Sequence, residues 1–200
     1  DTSGYERDQE KPFAWKYRDW VVDALNADMP YDQFVIEQVA GDEIDSPTKQ
    51  SVIATGFLRL GAWNDEPNDR LDYQYERLED LVHTTSSAFF GLTVKCARCH
   101  SHKFDAITQT DYYRMASAFW AGPLLTGGKQ LGGPTADQVG FDDVLAWTDT
   151  GPKPKPLHRL KNGERDQPLE EVIPASLSFI PTLERSFDAP PAGARTSHRR

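Results

Sequence analysis

Two cysteines and a histidine stand close together near the middle of the chain. Cys96 and Cys99 are separated by two residues, and His100 follows directly. Two thiols at this spacing lie about one helical turn apart, which suits thioether bonds to the two vinyl groups of a haem, while the histidine binds the iron. The sequence therefore predicts covalently bound haem c, held by Cys96, Cys99 and His100, and a role in electron transfer.

The same residues also fit three other kinds of chemistry. A redox-active dithiol has this cysteine spacing, although it usually begins a helix inside a strand-helix-strand unit. A zinc ion could be bound by both thiols with His100 or His102, although closed zinc sites usually take a second ligand pair from a distant segment. The two thiols could also form a local disulfide. We prefer haem because this chain has a helical pattern and no second pair at zinc-finger spacing.

The iron of such a haem could take its second axial ligand from several places. Met115 offers a thioether on the next predicted helix, but core packing explains a methionine there equally well. His102 is so near His100 in the chain that only a sharp turn would bring it to the far side of the haem. His83 could instead be an ordinary surface or core histidine, and for His158 and His198, in the irregular tail, a solvent-exposed position is the default. The far side could also be open, or bound by a ligand from a part of the protein outside this fragment. The aromatic residues expected to shield the haem from water are Phe89, Phe104, Tyr112, Tyr113 and Phe119.

Helical patterns surround this motif. Apolar residues recur at intervals of three and four in five stretches, at about 12–26, 32–40, 48–60, 70–90 and from 108 or 110 to 120. Asp32 is expected to cap the second helix and Gly41 to end it, while Gly91 ends the longest helix. Thr108 or Thr110 is expected to cap the last one. The predicted fold is therefore mainly α, an irregular helical domain.

The composition of the chain changes beyond Gly122. Most of the 14 prolines lie there, together with paired glycines. Such a composition is typical of irregular structure. We therefore expect a helical domain over residues 1–121, followed by a Pro/Gly-rich, largely loop extension or linker over 122–200. A strand at 169–173 or the segment 176–180 could pack on the helical domain.

The charge of the chain restricts its partners. A formal net charge of −9 and an isoelectric point near 5.0 disfavour binding to phosphate backbones and anionic lipid surfaces. No apolar stretch approaches the roughly 20 residues that span a bilayer. We expect no nucleic-acid partner and no transmembrane segment in this fragment. Because the chain begins without Met and stops without a closing element, we also expect it to be part of a longer polypeptide.

The cysteine motif lies inside a longer pattern that resembles a known family. The pattern reads Gly91-Leu92-Thr93-Val94-Lys95-Cys96-Ala97-Arg98-Cys99-His100-Ser101-His102-Lys103-Phe104-Asp105, followed by Asp111-Tyr112-Tyr113. Shorter matches stand at 15–21, 30–34, 38–42 and 64–66. Together they resemble the planctomycete cytochrome-type domain DUF1549 over about residues 1–121. Ser101 and Ala106 depart from the family pattern, which usually has an acid and a proline there, and the turn after the motif could be less rigid as a result.

The resemblance implies where such a protein works and what it works with. Members are typically large exported proteins with an upstream c-type cytochrome domain and a downstream DUF1553 domain. It therefore implies a periplasmic or cell-surface location, with the targeting signal and the first helices of the domain outside this fragment. The redox partner would be another protein or the neighbouring cytochrome domain of the same polypeptide.

The same resemblance supports two alternatives. The family pattern also contains His102, Lys103, Asp105 and the stretch Asn64-Asp65-Glu66, which haem attachment does not require. Histidine and carboxylate ligands could bind zinc or another divalent metal that activates water. This suggests a metal-dependent hydrolase, with extracellular glycans as substrates by analogy with the family's habitat, although ordinary loop and cap roles explain these residues as well. A non-catalytic structural module of a cell-surface assembly is the other alternative.

Overall fold

The computed structural model describes residues 1–4, 10–64, 66–124, 136–149 and 156–179. Its helices are α1 (Ala14–Asn26), α2 (Tyr31–Ala40), α3 (Lys49–Ala54), α4 (Arg70–Phe90), α5 (Gln109–Ser117) and α6 (Ala136–Val139). Three 3-10 helices lie at Thr55–Arg59, Val94–Arg98 and Lys161–Gly163, and two strands are β1 (Leu157–Leu160) and β2 (Pro168–Val172). The predicted mainly α fold is confirmed. Within the described ranges, no helix is both long and apolar enough to span a bilayer.

Local sequence determines where most of the helices begin and end. The long helix α4 covers the predicted range and stops before Gly91, which has a φ of 65°, a left-handed conformation that glycine adopts at low cost. Thr48 and Thr108 cap α3 and α5, and each hydroxyl accepts a hydrogen bond from the backbone N–H three residues later. The side chains of Ser51 and Asp111 in turn accept a hydrogen bond from the backbone N–H of the cap residue. Each pair of bonds forms a capping box.

The expected cap of the second helix is wrong. The cap residue of α2 is Pro30, whose side chain makes no capping hydrogen bond. Asp32 lies instead within the first turn, where a carboxylate is favoured by the positive end of the helix dipole. The predicted end of this helix is confirmed, since Gly41 follows its last residue.

The third helix is shorter than predicted. Its α-helical part ends at Ala54, and the chain continues as a tighter 3-10 helix from Thr55 to Arg59. The hydroxyl of Thr55 donates to the Val52 carbonyl at 2.7 Å and accepts from the Trp147 N–H at 2.8 Å. A threonine side chain that bonds to the backbone in this way competes with the regular helical pattern. The change of helix type therefore coincides with a hydroxyl that bonds both to a local carbonyl and to a residue far along the chain.

Spatial contacts divide the chain into two units. The N-terminal unit comprises Asp1–Leu81 and Gly122–Thr150, and the motif unit comprises Val82–Ala121 and Gly151–Arg200. The division falls inside α4, so this helix contributes to both units. Each unit thus contains one stretch from the region predicted as helical and one from the Pro/Gly-rich region. The predicted domain boundary at residue 121 stays a prediction.

The N-terminal unit has a small aromatic core. Trp20 of α1 stacks on Phe34 of α2, with ring centroids 5.2 Å apart. One cluster of this core consists of Trp20, Ala24, Ile53 and Ala54, with Tyr17, Val21, Met29, Phe34 and Val144 packed against it. Leu25 shares the predicted apolar pattern of α1, yet its side chain is 68% exposed. The apolar stripe of α1 is therefore narrower than its sequence indicates.

The N-terminal unit also buries cationic side chains. Lys11, Arg59 and Arg77 are each 4% exposed. The Lys11 ammonium group donates to the carbonyls of Arg59, Leu60 and Gly61 at 3.1, 2.9 and 2.6 Å. Burial, followed by the charges of Arg77 and Arg59, lowers the pKa of Lys11 from 10.5 to about 8. The Lys11 ammonium group thus binds the carbonyls at the end of the 3-10 helix and just after it. This position places three cationic side chains close together.

The motif unit contains an antiparallel hairpin of β1 and β2, with Leu157 opposite Val172. Asn162 and Gly163 both have positive φ, 54° and 78°, in the connection between the strands. An Asn-Gly pair favours such turns. The strand predicted at 169–173 corresponds to β2 within one residue, whereas β1 was not predicted. Apart from α6 and the hairpin with its 3-10 turn, the described residues beyond 122 form loops and turns, as the sequence predicts.

Candidate functional site

The CxxCH segment (residues 96–100) begins on the 3-10 helix Val94–Arg98 of the motif unit. Val94 and Ala97 have no exposed surface, whereas Cys96 and Cys99 are exposed. A 3-10 helix has three residues per turn, so residues three apart lie on the same face. Val94 and Ala97 therefore form the buried face, and Cys96 and Cys99 share an exposed one. Both thiols are free, without a disulfide between them.

His100 is exposed and has one ring nitrogen fixed by a neighbour. Its Nδ1 lies 2.8 Å from the carbonyl oxygen of Ser101. A carbonyl only accepts, so Nδ1 must carry the proton in this hydrogen bond. The lone pair of the neutral imidazole is then on Nε2. Such a backbone carbonyl partner is the common way in which proteins fix the tautomer of a metal-binding histidine. Nε2 of His100 thus carries the lone pair through which a metal could be bound.

His102 is held differently, with both ring nitrogens in contact with the protein. Its Nδ1 accepts from the backbone N–H of Asp105 at 2.9 Å, and its Nε2 lies 3.2 Å from the Thr93 hydroxyl. The Asp105 carboxylate also lies 3.2 Å from Nδ1. Because Nδ1 accepts a hydrogen bond from an amide N–H, it carries no hydrogen of its own, and this carboxylate contact is not an ion pair. His102 therefore braces the turn after the motif, and metal binding would break one of these bonds.

The other predicted ligands of the motif unit occupy separate positions. Met115 is partly exposed on α5, and Asp105 is exposed. His83 lies on α4 with its Nδ1 3.2 Å from the Ser87 hydroxyl. His158 lies on β1 as the partner of a residue in β2. The assignment of Met115, Asp105 or His102 to a metal stays a prediction.

The loop suggested for a hydrolytic site belongs to the N-terminal unit. The Asn64 side-chain oxygen accepts from the Glu66 N–H at 2.9 Å, and the Asn64 N–H donates to the Tyr73 hydroxyl at 2.8 Å. These are the contacts of a local turn. Asp65 and His198 lie outside the described residues. Within the described part of the chain, no group of three or more His, Cys, Asp or Glu side chains is arranged to hold a metal ion.

The five aromatic residues expected to shield a haem differ in exposure, and Phe89 is partly exposed. Tyr112, Tyr113 and Phe119 are buried within the protein itself, at 1%, 1% and 4% exposure. Phe104, in contrast, is 84% exposed. Burial of an exposed phenyl ring would contribute about 2 kcal/mol of favourable free energy. Phe104 therefore offers apolar surface to a ligand, while the three buried rings support the segment from inside.

Gln109 is a site residue that the sequence did not indicate. Its buried side-chain amide donates to the carbonyls of Arg98 and Leu160, both at 2.8 Å. The Tyr113 hydroxyl also donates to the Arg98 carbonyl, at 3.3 Å. The CxxCH segment is thus fastened to α5 and to the hairpin. The Asn162-Gly163 pair was the available signal for this hairpin, because it marks a tight turn between strands.

A cavity of about 230 Å³ lies in the N-terminal unit, lined by Ala62, Asn64, Tyr73, Glu76, Arg77 and Asp80. Arg77 donates to the Asp80 carboxylate at 2.9 Å and to the Ala62 carbonyl at 3.3 Å. Its Nε makes no hydrogen bond in the described structure, yet this atom is closed to solvent. A molecule in the cavity therefore cannot accept a hydrogen bond from the Nε of Arg77.

Comparison with known proteins concerns the first part of the chain. Residues 1–122 match the family model PSCyt2, described as a protein of unknown function (DUF1549). No curated protein and no solved structure matches the chain. The matched region contains α1 to α5 and the CxxCH segment, and it ends before α6 and the hairpin.

Proposed function

The chain belongs to the DUF1549 family, and we propose that its CxxCH segment binds a haem covalently and that the haem transfers electrons. The observation that carries the proposal is the state of three side chains. Cys96 and Cys99 are free and share an exposed face, and His100 has its Nε2 lone pair available. These are the groups that covalent attachment and axial ligation require.

The role of each residue follows from its chemistry. Cys96 and Cys99 would hold the haem by addition of each thiol across one vinyl group, with the sulfur bonded to one carbon and the thiol hydrogen to the other, without net oxidation or reduction. His100 would bind the iron through Nε2, and the Ser101 carbonyl holds the proton on Nδ1. Phe104 would cover apolar haem surface and become buried in return. The bound haem supplies a one-electron couple at its iron.

The test is the visible spectrum of the protein from a host that matures c-type cytochromes in its periplasm. We expect a haem spectrum that survives acidified organic extraction. Cys96→Ser and Cys99→Ser should each shift the α-band of the pyridine haemochrome to longer wavelength, because one vinyl group stays conjugated. The double variant should release its haem on extraction. His100→Gln should alter the visible spectrum of the untreated protein, whereas Asp166→Asn, at an exposed position of the same unit, should leave it unchanged.

Two results would overturn the proposal: a folded, colourless protein from that host, or haem that the wild-type protein releases on extraction. Elemental analysis then separates the alternatives. A stoichiometric divalent metal would support the hydrolase, which predicts loss of activity in Asp105→Asn. A folded protein with neither haem nor metal would support the structural module.

Covalent haem attachment also suggests a location and partners for the protein. We propose that it works in the periplasm or at the cell surface and exchanges electrons with another protein or with a cytochrome domain of the same polypeptide. Fractionation of cells that produce the complete polypeptide tests the location. Recovery of the haem protein in the cytoplasmic fraction would contradict it.

A further inference from the structure

We propose that the β1–β2 hairpin is part of the haem-attachment site, with Gly163 and Gln109 as positioning residues that set the orientation of Cys99. This inference rests on the proposed function. The hairpin lies outside the matched region 1–122, so the family comparison assigns it no role. The argument depends on three sets of contacts, all within the motif unit.

The first contact is between the hairpin turn and the sulfur of Cys99. A Cβ atom placed on Gly163 would lie 2.7 Å from Cys99 Sγ and 3.6 Å from Cys99 Cα. Real Cβ atoms essentially never approach another heavy atom below 3.0 Å. The backbone of Gly163 therefore lies directly against one side of the sulfur, while Cys99 as a whole stays exposed. The φ of 78° at this position also favours glycine.

The second contact fastens the residue before Cys99 to the hairpin. Both hydrogens of the Gln109 amide are used, one by the carbonyl of Arg98 and one by the carbonyl of Leu160. Arg98 directly precedes Cys99, and Leu160 is the last residue of β1. A single buried amide thus joins the CxxCH segment to the strand that leads into the Gly163 turn.

The third set of contacts fixes the orientation of that amide. Arg159 of β1 donates to the side-chain oxygen of Gln109 at 2.7 Å, so the amide nitrogen must face the two carbonyls. Arg159 is itself held by two hydrogen bonds to the Glu170 carboxylate of β2, at 2.5 and 3.0 Å. A planar guanidinium bound by both oxygens of a carboxylate has little freedom to rotate. Both strands of the hairpin therefore take part in holding Gln109.

These contacts act at one end of the motif. They reach Arg98 and Cys99, whereas Cys96 lies one 3-10 turn earlier. The hairpin should therefore control the reactivity of Cys99 more than that of Cys96. A general structural role would predict instead that both thiols respond alike.

The first experiment measures alkylation of each thiol in the complete, reduced, haem-free chain, with peptide mapping by mass spectrometry. In Gly163→Ala the new methyl group meets Cys99 Sγ and forces it from its rotamer. We expect alkylation of Cys99 to slow by about fivefold relative to Cys96. The matched control is Gly140→Ala, since Gly140 has a φ of 80° and, among the described residues, no atom lies within 4 Å of an added Cβ. It introduces similar backbone strain and should leave the ratio unchanged.

A second variant keeps the inference testable if Gly163→Ala does not fold. Gln109→Glu preserves the shape of the side chain and its partner Arg159, but a carboxylate cannot donate to the carbonyls of Arg98 and Leu160. We expect the ratio of Cys99 to Cys96 alkylation to change here as well. Equal responses of the two thiols in the folded variants, or no response, would overturn the positioning role.

The second experiment measures haem attachment in the same variants. Gly163→Ala should accumulate haem bound through Cys96 alone, seen as an α-band at longer wavelength, while Gly140→Ala keeps both thioethers. Wild-type protein without haem overturns the proposed function. An unchanged alkylation ratio overturns the role of the hairpin, whether or not haem is attached. The two failures are therefore distinguishable.

Discussion

The buried cations of the N-terminal unit and the reactive groups of the motif unit have opposite environments. In the N-terminal unit, Lys11, Arg59 and Arg77 are buried and bonded to backbone carbonyls. In the motif unit the reactive groups, two thiols and one imidazole, are exposed. The contrast shows how ionisable residues divide between holding a fold and offering chemistry. A titratable side chain that is bound on all sides stabilises structure, whereas one that keeps a free lone pair can meet a ligand.

The buried cations of the N-terminal unit need an explanation, since like charges repel. Burial, followed by the charge of Arg77, lowers the pKa of Arg59 to about 10. Both guanidinium groups lie over the ring of Trp63, 6.0 and 5.6 Å from its centroid. The electron-rich face of an indole attracts cations and offsets part of their repulsion. The Asp80 carboxylate, 2.9 Å from Arg77, offsets a further part.

The largest effect is expected from Lys11→Met. This change leaves the carbonyls of Arg59, Leu60 and Gly61 without their donor, at about 1 kcal/mol for each, so the free energy of unfolding should fall by about 3 kcal/mol. Denaturant titration measures it. The matched control is Lys103→Met in the motif unit, whose side chain is exposed. Equal losses for the two variants would contradict the contrast between the units.

Lys11 also makes a pH prediction. Its pKa is about 8 in the folded chain against 10.5 for a free lysine. Between these values the unfolded chain holds a proton that the folded chain has lost, so the contribution of Lys11 to stability rises as the pH increases from 8 to 10.5. The stability difference between wild type and Lys11→Met should widen over that range. If the stability difference between wild type and Lys11→Met shrinks over that range instead, the pKa of Lys11 is not lowered in the folded chain.

The second effect concerns Asp111 in the motif unit. Its carboxylate accepts hydrogen bonds from the N–H and hydroxyl of Ser178, at 2.7 and 2.9 Å, and from those of Thr108. Asp111→Asn should lower the free energy of unfolding by about 2 kcal/mol, because these bonds are made to a charged acceptor. Asp166→Asn, at an exposed position, is the control and should cost less than about 0.5 kcal/mol.

The contribution of Asp111 also depends on pH. Burial alone would raise its pKa, but the hydrogen bonds from Thr108 and Ser178 outweigh burial and hold the pKa below its ordinary value of 3.8. The stabilisation is thus complete above 3.8 and is lost as the pH falls through the folded value. Wild type and Asp111→Asn should converge in stability under acid. Parallel curves down to low pH would contradict this assignment.

The two capping boxes allow a smaller, matched comparison between the units. Thr48→Ala should cost about 1 kcal/mol, the usual effect of removing a helix cap. Thr108→Ala should cost somewhat more, because the Thr108 hydroxyl also donates to the Asp111 carboxylate at 2.6 Å. Thermal unfolding of both variants, with serine at each position as the conservative control, measures the difference. A larger loss in Thr48→Ala would argue against the additional bond.

The smallest effect on stability is expected from Phe104→Ser. The ring is 84% exposed, so the free energy of unfolding of the haem-free chain should change by less than about 0.5 kcal/mol. The same change at Phe119, which is 4% exposed, should cost several times more. If Phe104→Ser destabilises the chain as strongly, the ring is part of the core, not an exposed surface for haem.

The sequence predicted those parts of the fold that depend on neighbouring residues. The range of α4 and the cap at Thr108 follow from periodicity and from contacts three residues apart. The helix change at Thr55 and the strand β1 did not follow, because their partners lie far along the chain. Thr55 bonds to Trp147, and Gln109 bonds to Leu160. No local pattern contains such pairs.

The candidate site divides in the same way. The identity and shared face of Cys96 and Cys99 follow from their spacing, and the tautomer of His100 follows from its neighbour Ser101. The position of Gly163 against Cys99 depends on how the hairpin packs. The role of His102 in bracing a turn was also unpredictable, because a histidine beside a motif suggests a ligand until its hydrogen bonds are known.

The hairpin is synthesised after the CxxCH segment, so it can contact Cys99 only late in folding. The ribosome completes the CxxCH segment well before Gly163, and the intervening stretch Gly122–Thr150 belongs to the other unit. Contacts between distant residues form late, since a long loop must close first. Cys99 therefore passes through an interval in which the hairpin does not yet hold it. Under the proposed function, oxidation of the two thiols to a disulfide would compete with haem attachment during that interval, and a thiol reductant would preserve the yield.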